Sequence, residues 1–155
     1  MTRRNQLVLS CVIALALVAA AMPGGAEAKR ISSSVTVDVF GVIDRHGSVS
    51  YAFGGEIGAH FTFACEADRT VTLFRVEPGG SATPVASANS GFGQFVGTLE
   101  RPLGEITGSY YAEVAPATRK LKRGRYRKLN CLGARSPTIF VQVPAALLTP
   151  PQVKE

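Results

Sequence analysis

Glycine and proline, sixteen and nine in number, are spread along this chain, and the runs between them are short and rich in Val, Thr, Phe and Tyr. A chain cut up in this way reads as many short strands joined by turns, and no segment beyond the N-terminal export region reads as a helix. Ser33 to Phe40 alternates, with Val35, Val37 and Val39 on one face and Thr36 and Asp38 on the other. That is the period of a half-buried strand. Val42–Asp44 and Ser48–Phe53, joined by Arg45-His46-Gly47, predict a hairpin, and Gly54 to Gly58 predicts a flexible loop. Further strands are expected at Phe61–Cys65, Thr70–Val76, Pro84–Ala88, Phe92–Leu99, Thr107–Val114 and Thr138–Val143. Tyr110, Ala112 and Val114 share one face of their strand, so the adjacent Tyr111 faces the other way. Turns at Pro78-Gly79-Gly80, Asn89-Ser90-Gly91 and Pro102-Leu103-Gly104 separate these strands. Strands at near-regular spacing favour a β-sandwich over a barrel.

The N-terminus has a different job. Arg3 and Arg4 precede an apolar run from Leu7 to Met22, and Ala26-Glu27-Ala28 follows. Charged start, apolar middle and small-x-small end are the parts of a secretory signal peptide. The run is shorter than the ~20 residues a spanning helix needs. Residues 1–28 are therefore expected to be cleaved, leaving Lys29 as the first residue, and the general secretory route fits better than the twin-arginine one. The expected product is secreted, extracellular or periplasmic, without a stable membrane anchor. It comprises one domain over residues 29–143 and a proline-rich tail over 144–155.

Cys11 leaves with the signal peptide, so Cys65 and Cys131 remain. Two cysteines in an exported chain predict a disulfide. The bridge closes a loop of about 66 residues, which the chain-entropy model rates at roughly 4 kcal/mol. A thiolate nucleophile or a metal ligand is the alternative, but neither cysteine has a nearby His or a C-x-x-C partner.

Four pieces occur in order along the chain: Cys65 to Arg75, Val85 to Phe95, Gly108 to Val114 and Cys131 to Thr138. Together they resemble a group of small secreted bacterial β-sandwich proteins common in actinobacteria, similar in outline to carboxypeptidase-regulatory-like and transthyretin-like domains. The resemblance spans about Gly47 to Val143. It departs at Gly54 to Gly58, and the turn before Phe92 lacks an Asp. It implies an all-β, Ig-like or transthyretin-like antiparallel β-sandwich with one disulfide, serving as an extracellular accessory or structural domain. It implies no activity, since this architecture hosts many functions.

Catalytic signals are absent from the sequence. There is no Gly-x-Ser-x-Gly elbow, and no pair among Glu56, Glu66, Glu77, Glu100, Glu105 and Glu113 is singled out for glycoside chemistry. Asp44, His46 and Glu56 are too few for a zinc site. The reading is non-enzymatic, with no cofactor and no metal; an enzyme whose site is assembled only in space is the alternative. The loudest feature is the segment from Arg119 to Lys128. Its cations are Arg119, Lys120, Lys122, Arg123, Arg125, Arg127 and Lys128, with Tyr126 among them and no acid. Since the whole chain carries a net charge of +6, these seven exceed the surplus. Such a block attracts phosphate polymers, acidic polysaccharide or nucleic acid, and Tyr126 is suited to stack on a base or a sugar. As a plain alternative, the block is a solvated loop, because its spacing suits neither strand nor helix. The partner expected is an anionic cell-envelope polymer or another extracellular protein. The bound polymer would make the protein an electrostatic binder; without it, the domain is structural or adhesive.

Overall fold

A computed structural model describes residues 28–60, 62–122 and 128–144. The export segment up to residue 27, the tail from residue 145 and the basic-segment residues Arg123 to Arg127 lie outside the described residues. The strands of the N-terminal half are β1 (Lys29–Ile31), β2 (Ser33–Val35), β3 (Asp38–Ile43), β4 (Val49–Ala59), β5 (Thr70–Val76) and β6 (Ala82–Asn89). The rest are β7 (Gln94–Leu99), β8 (Gly108–Val114), β9 (Ala117–Lys120), β10 (Lys128–Cys131), β11 (Ala134–Arg135) and β12 (Ile139–Val141).

Two antiparallel sheets face each other. In one, β2 and β3 line one edge of β4 and β7 lines the other. In the second, β6, β5 and β8 lie side by side, and β11 and β12 share the outer edge of β8. Their inner faces supply one core. Val39, Tyr51, Phe53, Ile57 and Phe95 come from the first sheet, and Val71, Leu73, Tyr110, Ala112 and Val114 from the second. This is the alternation that period-two patterning demands of a sandwich. Tyr110 closes the corner where β7 returns to β8: its hydroxyl donates to the Ile106 carbonyl at 2.6 Å. A tyrosine fixing such a corner recurs in Greek-key sandwiches. Burial pushes the Tyr110 phenol above its usual range.

Four local expectations are corrected. Gly54 to Gly58 is no loop but the middle of the eleven-residue strand β4. The glycines are there for close approach: a Cβ on Gly55 would collide with the Thr36 carbonyl and the Phe95 ring. The chain opposite bends in over that gap, so the strand expected from Ser33 to Phe40 is broken at Thr36 and Val37. Thr36 N–H still donates to the Glu56 carbonyl at 2.9 Å, and Val35 and Val39 keep their inward face. The strand expected over Phe61–Cys65 is instead a 3-10 turn at Phe63–Cys65, capped by the Thr62 hydroxyl accepting from Ala64 N–H. Phe92 belongs to the turn before β7, at φ 52°, and is almost wholly exposed.

A third, smaller sheet lies at one end. β1 runs parallel to β10, and β9 pairs antiparallel with its other edge. Beneath it sits a separate small core of Ile31, Cys65, Leu129 and Cys131. Cys65 and Cys131 are joined by a disulfide, with their Cα atoms 5.4 Å apart. That spacing is within the range such bonds require.

Candidate anion-binding surface

Residues 119–120 and 128 of the basic segment are in strands, which corrects the loop expected there. Leu129 is buried and Arg119 lies opposite it, so both point to the inner face of the small sheet. Thr118, Lys120, Lys128 and Asn130 therefore point outward. Lys120 and Lys128 stand directly opposite each other. Like charges at such positions repel. β1 adds a cation that is remote in sequence: Arg30 pairs in register with Asn130 and shares its outward face. Arg30, Lys120 and Lys128 are all exposed, and among the described residues no ion pair joins any of them to an acid. Lys122, just past the end of β9, is also exposed. Arg123, Arg125, Tyr126 and Arg127 lie outside the described residues.

Arg119 has a different role from its neighbours. Its Nη2 donates to the carbonyls of Ala67 and Asp68, at 2.5 and 2.7 Å, tying β9 to the segment after Cys65. Its buried Nε has no partner among the described residues. Arg69 completes the junction and is itself 1% exposed. Its guanidinium donates to the carbonyls of Cys65 (2.7 Å), Leu132 (2.9 Å) and Ala115, and to the Ser33 hydroxyl. Desolvation, and after it the Arg119 charge, lowers the Arg69 pKa from its ordinary value, though a guanidinium stays protonated in a protein. Main-chain carbonyls rather than a carboxylate thus solvate two neighbouring cations, and the positive charge of this end is left uncancelled. Neither Arg30 nor Arg69 was singled out from the sequence as a site residue. Arg30 becomes visible only through the register of β1 on β10.

Asp44, Ser33, Ser34 and Glu66 are engaged in the fold. Asp44 Oδ1 accepts from the N–H groups of His46 (2.7 Å) and Ser48 (2.9 Å), which closes the β3–β4 turn. Glu56 lies seven residues further along β4 from Val49, about 23 Å at the usual rise per residue, so Asp44, His46 and Glu56 do not converge. Among the described residues no three His, Cys, Asp or Glu side chains gather as metal ligands, and no helix is long and apolar enough to cross a membrane. A shallow cleft brings Ser33, Ser34, His60 and Glu66 together. Ser33 accepts from Arg69, Ser34 donates to the Gly58 carbonyl, and Glu66 accepts the Ala59 N–H at 3.0 Å. These bonds hold strands together.

The chain matches no protein-family model and no curated protein. The geometry of its surfaces therefore carries the functional reading.

Proposed function

We propose that this is an exported, non-enzymatic β-sandwich that uses the outer face of β1, β10 and β9 to bind an anionic polymer of the cell envelope. The carrying observation is the register that aligns Arg30, Lys120 and Lys128 on one exposed face, with no acid paired to them among the described residues. Two lysines directly opposite each other cost stability in the free protein, and a polyanion lying across both removes that cost. In sequence, Arg123, Arg125 and Arg127 add three more cations between Lys120 and Lys128.

Export is supported by the charged-apolar-small pattern of residues 1–28 and by a disulfide that needs an oxidising compartment. It is further supported by β1, which opens at Lys29, the residue that cleavage after Ala28 makes the new N-terminus. The resemblance to secreted actinobacterial sandwich domains fits the same reading.

The test is retention of the secreted protein on immobilised polyphosphate, measured against salt. Binding by several cations predicts a linear fall of log affinity with log salt. Lys120→Ser with Lys128→Ser should reduce both the slope and the salt needed for elution, and Arg123, Arg125 and Arg127→Ser should do so again. Retention unchanged by all five substitutions would remove the reading.

A further inference from the structure

Tyr111 points out of the β6–β5–β8–β11 sheet, yet it is only 5% exposed. Two neighbours cover it. Phe74, directly opposite on β5, stacks on its ring with 5.1 Å between centroids and 9° between planes. Arg135, from β11, lays its guanidinium over the same ring, 3.5 Å from the centroid. The arrangement is a row of ring, ring and guanidinium across three strands.

Glu113 is the direct cross-strand partner of Arg135, and opposite charges placed so ordinarily attract each other. Here no ion pair joins them among the described residues. The guanidinium instead sits over the Tyr111 ring, a contact that positions it without using its N–H donors. Beside it runs an open groove of about 530 Å³, lined among others by Thr72, Phe74, Glu113, Pro116 and Arg135. The groove offers an apolar wall, a forked cation, a carboxylate and a hydroxyl.

We propose that this groove binds a carboxylated sugar of an acidic polysaccharide. The fork of Arg135 takes the sugar carboxylate, for which guanidinium geometry is matched in two parallel hydrogen bonds. Phe74 and Pro116 meet the C–H face of the ring. Glu113 and Thr72 accept and donate to its hydroxyls. Glu113 also selects among anions: a densely phosphorylated chain brings charge against this carboxylate, and like-charge juxtaposition disfavours it. A uronate carries one charge and several neutral hydroxyls, so it satisfies both groups at once. This inference rests on the polyanion reading only for the long-range attraction supplied by the basic sheet; no residue of β1, β9 or β10 lines the groove itself.

The experiment is titration of the secreted protein with an oligogalacturonate, followed by amide chemical shifts and calorimetry. The carboxyl-reduced neutral oligomer and polyphosphate serve as comparisons. Shifts are expected at residues 72–74, 111–113 and 134–135 with the uronate. Arg135→Gln should weaken uronate binding by about tenfold or more, as loss of a charge-assisted pair does. Arg135→Lys should also weaken it, since the charge stays but the fork is gone, and melting temperatures of both variants check that the fold persists. Lys120→Ser with Lys128→Ser should flatten the salt dependence and leave the shift pattern in place. Equal binding of the neutral oligomer, or uronate shifts confined to β1, β9 and β10, would overturn the groove proposal while leaving the polyanion reading intact. Retention on polyphosphate unchanged by the lysine substitutions, with uronate binding still lost in Arg135→Gln, would sink the basic sheet and leave the groove standing.

Discussion

The large sandwich core and the small core under the third sheet are held by different physics. Between the two main sheets, buried residues such as Phe53, Leu73, Ile106 and Tyr110 interdigitate with essentially no exposure, and each large apolar side chain contributes about 1.5–3 kcal/mol by leaving water. Under β1, β10 and β9 the buried hydrophobic residues, among those described, are Ile31, Cys65, Leu129 and Cys131, with partly buried ones such as Ala64 and Ala117 around them. So few side chains cannot hold a parallel strand and a hairpin by burial alone. Covalent and polar ties do the remainder: the disulfide, four acceptors around Arg69, and Arg119 on the Ala67 and Asp68 carbonyls. One end of the molecule is packed, and the other is tied.

This contrast can be broken most severely from the packed side. Phe53 is fully buried, lies at a tilt to Phe95 with 6.0 Å between ring centroids, and presses against Gly97 closely enough that a Cβ there would clash. Phe53→Ala should lower the unfolding free energy by about 3–5 kcal/mol, with all strands losing hydrogen-exchange protection together. A loss confined to β4 and β7 would mean that the sheets do not share one core.

The tied side should fail differently. Replacing Cys65 and Cys131 together with Ala should cost about 2–4 kcal/mol. Because the small core is thin, the amides of β1, β9 and β10 should also exchange well before those of β5 and β8. If Leu129 and Asn130 keep protection equal to Val71 and Leu73, the four buried residues suffice and the distinction between packed and tied ends collapses.

The same contrast explains what the sequence reveals. β5 and β8 are half-buried strands with apolar residues on alternate positions, so their inward faces (Val71 and Leu73, Tyr110, Ala112 and Val114) stand out directly. The pairing of Cys65 with Cys131 is legible by count. In β9 the inward position opposite Leu129 is held by Arg119, whose reward is hydrogen bonding to carbonyls rather than burial, so the strand looks like a charged loop. In β4 the glycines that look like a loop serve an approaching carbonyl from Thr36, a contact that spans some twenty positions of sequence. The candidate site divides in the same way. Its lysines were visible as a run, whereas Arg30, and the separation of Arg119 from its outward neighbours, required the strand register. Tyr111 is legible as facing away from Tyr110, but its cover of Phe74 and Arg135 depends on which strands flank β8.

The smallest expected effect is the most pointed, because its sign opposes the usual one. Lys120 and Lys128 face each other on an exposed pair with no acid paired to either among the described residues, so in the absence of ligand the tied end carries a like-charge repulsion. Lys120→Glu should turn that pair attractive and raise stability by about 0.5 kcal/mol at low salt, the scale of exposed cross-strand charge pairs. The gain should fade as salt shortens the screening length toward a few ångströms. Lys128→Glu should do the same, while both changes together restore a like-charged pair and cancel the gain, a non-additivity that only direct coupling produces. Either single change should at the same time weaken retention on polyphosphate. Stability and binding moving in opposite directions would then mark the lysine pair as kept for its ligand, whereas a fall in both would mean that the two charges serve the fold of the hairpin itself.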